Sequence, residues 1–156
     1  MTLYSVASHA VLELMCTYRC ICSPCCNLSF SGVHDIMSEI YKRGPIACSI
    51  NASNPDFEGI RYGGYNALVV AAEANGVAPI FIDHRPEQNR DTTHVISLVG
   101  WGHEAKSGRD YWIGRNSWGT YWGLNDWFLI EKGANALLVE EHCYFATPSL
   151  SKVASP

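Results

Sequence analysis

The chain has 156 residues and a mass of 17.3 kDa, the size of one domain or of a fragment of a larger one. Hydrophobic residues make up 47% and charged residues 17%, below the roughly 25% charged share of soluble domains, so the chain is not disordered as a whole. No apolar run reaches the ~18 residues of a membrane span, and a net charge of -4 with scattered Lys and Arg speaks against a nucleic-acid surface.

Residues 3–15 read as a short helix. They have no basic leading region, and Glu13 interrupts the apolar stretch, so no signal peptide is evident. Seven cysteines follow, five of them between Cys16 and Cys26. That density suits an oxidising compartment or a metal site. Without a signal peptide, it also predicts polypeptide upstream of Met1. Cys22-Ser-Pro-Cys25 is a C-x-x-C, and four of the five thiols (Cys16, Cys20, Cys22, Cys25, Cys26) suffice for a zinc site. Disulfides and free thiols are the alternatives, and the reading adopted has no metal and no cofactor. Residues 33–43 place Val33, Ile36, Met37, Ile40 and Tyr41 on one helical face. Ser31 is the expected cap, and Gly44-Pro45 the stop.

Strand texture then takes over. Candidates are 46–50 (IACSI), 95–99 (VISLV), 110–114 (DYWIG) and 127–131 (WFLIE). Residues 71–92 show no clear period and read as a long loop or insertion. The tail after Pro148 is polar and expected to fray. The coarse order is a helix followed by a mainly antiparallel sheet. Asn27-Leu-Ser and Asn51-Ala-Ser fit the N-glycosylation pattern, which supports secretion only weakly. Glu140-Glu141 reads as a solvated face, and the aromatic stretch 111–127 as core packing, Trp118 excepted.

Two segments carry chemistry. His94 stands just before an apolar strand in THVISLVGWG, and Asn116 lies between a strand and a Trp/Gly-rich turn in YWIGRNSWGTYWG. Alone, each has a bland reading: a hydrogen-bonded structural His and a turn Asn. Together they say more. A His opening one strand can adjoin an Asn closing its antiparallel neighbour, about 5 Å away. The Asn oxygen then accepts from one imidazole nitrogen, fixes the tautomer and leaves the other nitrogen for a nucleophile. Trp118 can shield that bond from water.

These two segments resemble those around the catalytic His and Asn of papain-like cysteine peptidases. MSEIYKRGPIACSI (37–50) and EEHCYFATP (140–148) narrow the resemblance to the cathepsin X, or cathepsin Z, type. It implies an α+β fold for the chain: the right-hand, C-terminal lobe of the papain-like fold, a β-barrel-like antiparallel sheet with a preceding helix. The implied division is a cysteine-rich N-terminal segment 1–31, the peptidase lobe 32–148 with an insertion at 66–92, and a flexible tail 149–156.

By the same resemblance His94 is the catalytic imidazole, Asn116 its orienting residue, and Trp118 and Trp122 support them. Cys48 and Cys143 match a disulfide pair, the alternative being two buried thiols. The family usually carries Asp or Asn before the His, where this chain has Thr93. His84 in FIDHRP imitates the context, but only His94 precedes a strand and Gly-Trp-Gly. The family's nucleophile, in a Cys-Gly-Ser-Cys-Trp-like segment, lies about 130–150 residues before the His and Asn, ahead of Met1. The single Gln, Gln88, is out of place for the oxyanion donor, and Cys25 and Cys26 have no helix to lower a thiol pKa. The implied activity is peptide hydrolysis. The implied partners are a peptide or protein substrate and a left-hand lobe packed on this one, with no nucleic acid and no membrane. The implied location is lysosomal or secreted. The alternative is a catalytically inactive truncated or pseudo-peptidase that acts as a binding protein.

Overall fold

A computed structural model describes residues 29–59, 64–84 and 91–145. The expected helix at 3–15, the Cys16–Cys26 cluster, Asn27, Gln88 and the tail 149–156 lie outside the described residues. Ser29–Tyr144 forms one compact unit.

Its elements, in chain order, are β1 (Ser29–Phe30), α1 (Val33–Arg43), β2 (Ile46–Ile50), α2 (Pro55–Glu58), α3 (Gly64–Asn75), β3 (Ile80–Phe81), β4 (His94–Glu104), β5 (Arg109–Arg115), β6 (Trp127–Glu131), a 3₁₀ turn (Ala136–Leu138) and β7 (Cys143–Tyr144). The strands form one sheet in the order β1-β7-β2-β4-β5-β6-β3. With the helices, this is the α+β lobe expected. Helix α1 and strands β2 and β6 keep the predicted bounds, because each alternates or repeats at its own period. In β2, Ile46, Cys48 and Ile50 are buried and the residues between them are not. In β6, Phe128 and Ile130 are buried.

The differences have physical causes. Strand β4 is twice the predicted length, since its first half pairs with β2 and its continuation with β5, across an irregularity between Leu98 and Gly100. One pairing is parallel: β3 runs alongside β6 at the sheet edge, Ile80 opposite Leu129, so the sheet is mainly antiparallel, as expected, with one parallel edge. The stretch read as a loop contains the last five residues of α3 and all of β3. GYNALVVAAEAN has apolar residues on several faces and no amphipathic stripe; contacts elsewhere in the fold hold it. The Tyr65 hydroxyl donates to Pro79 O (2.6 Å) and accepts from Leu129 N–H (2.7 Å), tying α3, the lead into β3, and β6 together. Burial pushes the Tyr65 phenol pKa up, and the Leu129 N–H draws it back in part.

On α1, Gly32 rather than Ser31 stands at the N-cap, with no side-chain cap bond. Gly44 ends the helix with φ 93° and donates its N–H to Ile40 O, the left-handed closure that favours glycine. Tyr41, expected on the buried face, is 85% exposed. Glu39 is buried instead, and Arg43 one turn later holds its carboxylate.

The Glu140-Glu141 pair also departs from expectation. Glu140 is buried. It accepts from Trp112 Nε1 (2.8 Å), Gly133 N–H (2.7 Å) and Asn135 N–H (3.2 Å). These bonds brace a turn in which Leu137 and Leu138 take left-handed backbone angles of 53° and 64° in φ, costly for bulky residues unless the surroundings over-determine them. The turn's Leu137 O then accepts from Asn51 N–H (2.8 Å) at the end of β2. A disulfide joins Cys48 of β2 to Cys143 of β7, directly opposite each other in the sheet. No described helix is long and apolar enough to cross a membrane.

Candidate active site

The site lies where β4 begins and β5 ends. Antiparallel pairing sets Ser97 opposite Arg115, so the first residue of β4, His94, and the first residue after β5, Asn116, meet at one end of the pair. His94 Nε2 is 2.8 Å from Asn116 Oδ1. The Ser117 N–H is 2.9 Å from that same Oδ1. A backbone N–H can only donate, so the atom facing it is the amide oxygen. That oxygen faces the imidazole as well, so Nε2 is the nitrogen that donates to it and Nδ1 is left facing away from the amide.

Trp118 stacks on the imidazole, with ring centroids 5.1 Å apart and planes 27° apart. Behind it Trp122 meets Trp118 edge-on at 5.0 Å and stacks on Tyr65 at 5.3 Å. Phe57 of α2 sits at the centre of this cluster, touching Trp118, Trp122, Phe81 and Phe128. The shielding indole is therefore fixed by a packed aromatic wall rather than held by the turn alone. Trp122 is buried, a core member that reaches His94 only through Trp118.

Asp126 is a member of the site that the sequence reading missed. It is buried. Its Oδ1 accepts from the N–H groups of Trp118 (3.0 Å) and Gly119 (3.1 Å), and its carbonyl accepts from Asn116 N–H (2.8 Å). One residue thus holds the backbone under both Asn116 and Trp118. The only signal in the sequence was an Asn-Asp turn before a strand, which indicates a turn and nothing more.

Thr93 replaces the acidic or amide residue expected before the His. Its N–H donates to Ile50 O (2.9 Å). Its hydroxyl oxygen accepts from Ala52 N–H (3.1 Å) and the Ser53 hydroxyl (3.4 Å). That ties the turn after β2 to the start of β4. An open pocket of about 220 Å³ lies beside it, lined by Ala52, Ser53, Glu58, Thr93, His94 and Trp118. His84, the alternative imidazole, follows β3 and is exposed. The described cysteines are Cys48 and Cys143, both in the disulfide. Among the described residues no group of three His, Cys, Asp or Glu side chains is placed to hold a metal.

An imidazole with one nitrogen anchored to an amide oxygen, one nitrogen open, and an indole against its face is the arrangement the sequence resemblance implies. Comparison with known proteins gives the family: residues 22–152 match the papain family cysteine protease domain. The chain belongs to the papain family of cysteine proteases. It is 41% identical over 125 residues to cathepsin Z of Onchocerca volvulus, a match covering 76% of this chain and 34% of that protein. It is 36% identical over 134 residues to dipeptidyl aminopeptidase 1 of Plasmodium falciparum, covering 80% of this chain and 18% of that one. Among solved structures, digestive procathepsin L2 proteinase from the larval midgut of Tenebrio molitor superposes with a TM-score of 0.55 at 27% identity, over 74% of this chain and 31% of that one. The chain thus spans about a third of cathepsin Z and less of dipeptidyl aminopeptidase 1.

Proposed function

We propose that this papain-family chain is the imidazole-bearing lobe, residues 32–148, of a cysteine peptidase of the cathepsin Z type, and that a second lobe supplies the nucleophile. The observation that carries the reading is the 2.8 Å contact from His94 Nε2 to Asn116 Oδ1 beneath Trp118. In that arrangement Nδ1 of His94 takes the proton of a cysteine thiol placed against it. The resulting imidazolium stabilises the thiolate, which attacks the peptide carbonyl carbon. The C–N bond breaks as Nδ1 returns the proton to the leaving amine. Water then hydrolyses the acyl-enzyme with His94 as base. Asn116 keeps the ring in the productive tautomer throughout, and Trp118 keeps water off the His94–Asn116 bond. The substrates are peptides or proteins, and the location is lysosomal or secreted. Trimming of single C-terminal residues follows from the cathepsin Z likeness alone.

The test is peptide hydrolysis by the full-length peptidase and by its His94→Ala variant. Loss of roughly 10³-fold or more in kcat is expected, since the imidazole acts as both base and acid. Retained hydrolysis would assign the chemistry to another residue. A second reading, an inactive lobe that binds peptides or a partner, has one observation in its favour: no free thiol exists among the described residues.

A further inference from the structure

The pocket beside His94 holds one feature that the proposed mechanism does not use. Six residues line it: Ala52, Ser53, Glu58, Thr93, His94 and Trp118. Ala52, Thr93 and Trp118 bring no charge, and the Ser53 hydroxyl is turned to Thr93. His94 is anchored to Asn116 through one nitrogen, and the positive charge that it takes up in the proposed mechanism is balanced by the thiolate beside it. Glu58 is therefore the group that sets the sign of the pocket. It is the last residue of α2, and its backbone N–H donates to Asn54 O (2.8 Å). The helix itself is held in place: Asn54 Oδ1 caps it by accepting from Asp56 N–H (2.9 Å), and Phe57 is buried in the aromatic wall behind Trp118. Glu58 thus lines the pocket from a fixed backbone, with its neighbour Phe57 packed against the indole that covers the imidazole. A pocket of about 220 Å³ takes one side chain rather than a whole ligand.

We propose that Glu58 makes this pocket a subsite for a cationic side chain, Lys or Arg, on the substrate residue that adjoins the scissile bond. The inference rests on His94 being the catalytic imidazole. That role places the pocket next to the reacting bond, and the carboxylate then selects which residue is held there. The attraction acts across an open, solvated pocket, so it is modest and screened by salt.

The experiment compares kcat/KM for matched peptides carrying Lys or Gln at each position flanking the scissile bond, with the full-length peptidase and its Glu58→Gln variant. At one flanking position the wild type is expected to favour Lys over Gln by roughly two- to five-fold, the range open to an exposed ion pair. In Glu58→Gln that ratio should fall to about one while cleavage of the Gln peptide is unchanged, a pattern that a merely structural loss would not produce. Glu58→Asp should keep part of the preference. Should Glu58→Gln fail to fold, the salt dependence of the wild-type ratio decides: a ratio that shrinks as salt is raised supports the subsite, and one that does not move overturns it. Hydrolysis with the same Lys/Gln ratio in wild type and Glu58→Gln overturns the Glu58 assignment alone. Absence of hydrolysis in the wild type, or hydrolysis undiminished in His94→Ala, overturns the peptidase reading and this proposal together.

Discussion

At the scale of single residues, His94 does nothing by itself; three neighbours give it direction. Asn116 accepts its Nε2–H, Ser117 fixes which end of the Asn116 amide faces it, and Trp118 covers the ring. Asp126 then fixes the backbone of Asn116, Trp118 and Gly119. This hierarchy yields a prediction for a residue that touches no reacting atom. Asp126→Ala keeps the backbone carbonyl that Asn116 N–H uses, but frees the Trp118 and Gly119 N–H groups and lets the turn that carries Trp118 drift. In the full-length peptidase kcat should fall by up to about 100-fold, the cost of a displacement near 1 Å, while KM changes little. A kcat unchanged in a variant that still folds would remove Asp126 from its positioning role. Glu140 shows the same economy away from the site. One buried carboxylate serves three donors and holds two leucines in backbone angles that they rarely adopt.

At the scale of elements, two features determine how firmly the site is held. The disulfide closes a loop of 95 residues between β2 and β7. In the chain-entropy view, a crosslink of that span stabilises by restricting the unfolded chain. Replacing both Cys48 and Cys143 by Ala should cost roughly 2–5 kcal/mol, read as a lowered denaturant midpoint; a midpoint within error of the parent would show that the sheet needs no crosslink. The second feature is the β4–β5 hairpin. The His103 side chain, 2.8 Å away, holds the Asp110 carboxyl below its ordinary value, and Lys132 adds to the effect. Across the turn, hydrogen bonds from Lys106 and Ala78 N–H hold Glu104 low in the same way. A carboxyl whose folded pKa lies below its unfolded value of about 4 contributes stability above that pH and loses it as pH falls through the folded value. Thermal midpoints should therefore drop between pH 6 and pH 3, and the drop should be smaller in Asp110→Asn. Equal drops in the two proteins would show that Asp110 contributes nothing to the loss in this window.

At the scale of the whole molecule, Ser29–Tyr144 is one compact unit that carries an imidazole, the amide bonded to it and a pocket, but no free thiol among its described residues. The geometry supports half of a reaction. Hydrolysis of a peptide needs a nucleophile set against Nδ1 of His94 and donors for the oxyanion. On the proposal that a second lobe supplies the nucleophile, the 156-residue chain alone should show no turnover of peptide substrates and should gain it when joined to that lobe, as measured by release of product from the same peptides. Turnover by purified 156-residue chain would place a nucleophile among the N-terminal cysteines.

Much of this could be read in the sequence, for reasons that are local. The α1 stripe, the alternation in β2 and β6, and the THVISLVGWG and YWIGRNSWGTYWG segments depend on residues near one another in the chain, so periodicity and motif expose them. They identified the family and put forward His94 and Asn116. What local pattern did not reveal depends on distant partners. Helix α3 has no amphipathic stripe, and its Tyr65 hydroxyl is anchored by Pro79 and Leu129. Strand β3 is parallel because it docks on β6. The carboxylates of Glu140 and Asp126 are buried, as their spacing in sequence does not reveal, because backbone N–H groups converge on them in the folded chain. The sequence by itself thus determined the family and the chemical groups on offer. The tertiary structure decided which nitrogen of His94 is anchored, what holds the anchor, and which charge faces the pocket, because each depends on hydrogen bonds and packing between elements far apart in the chain.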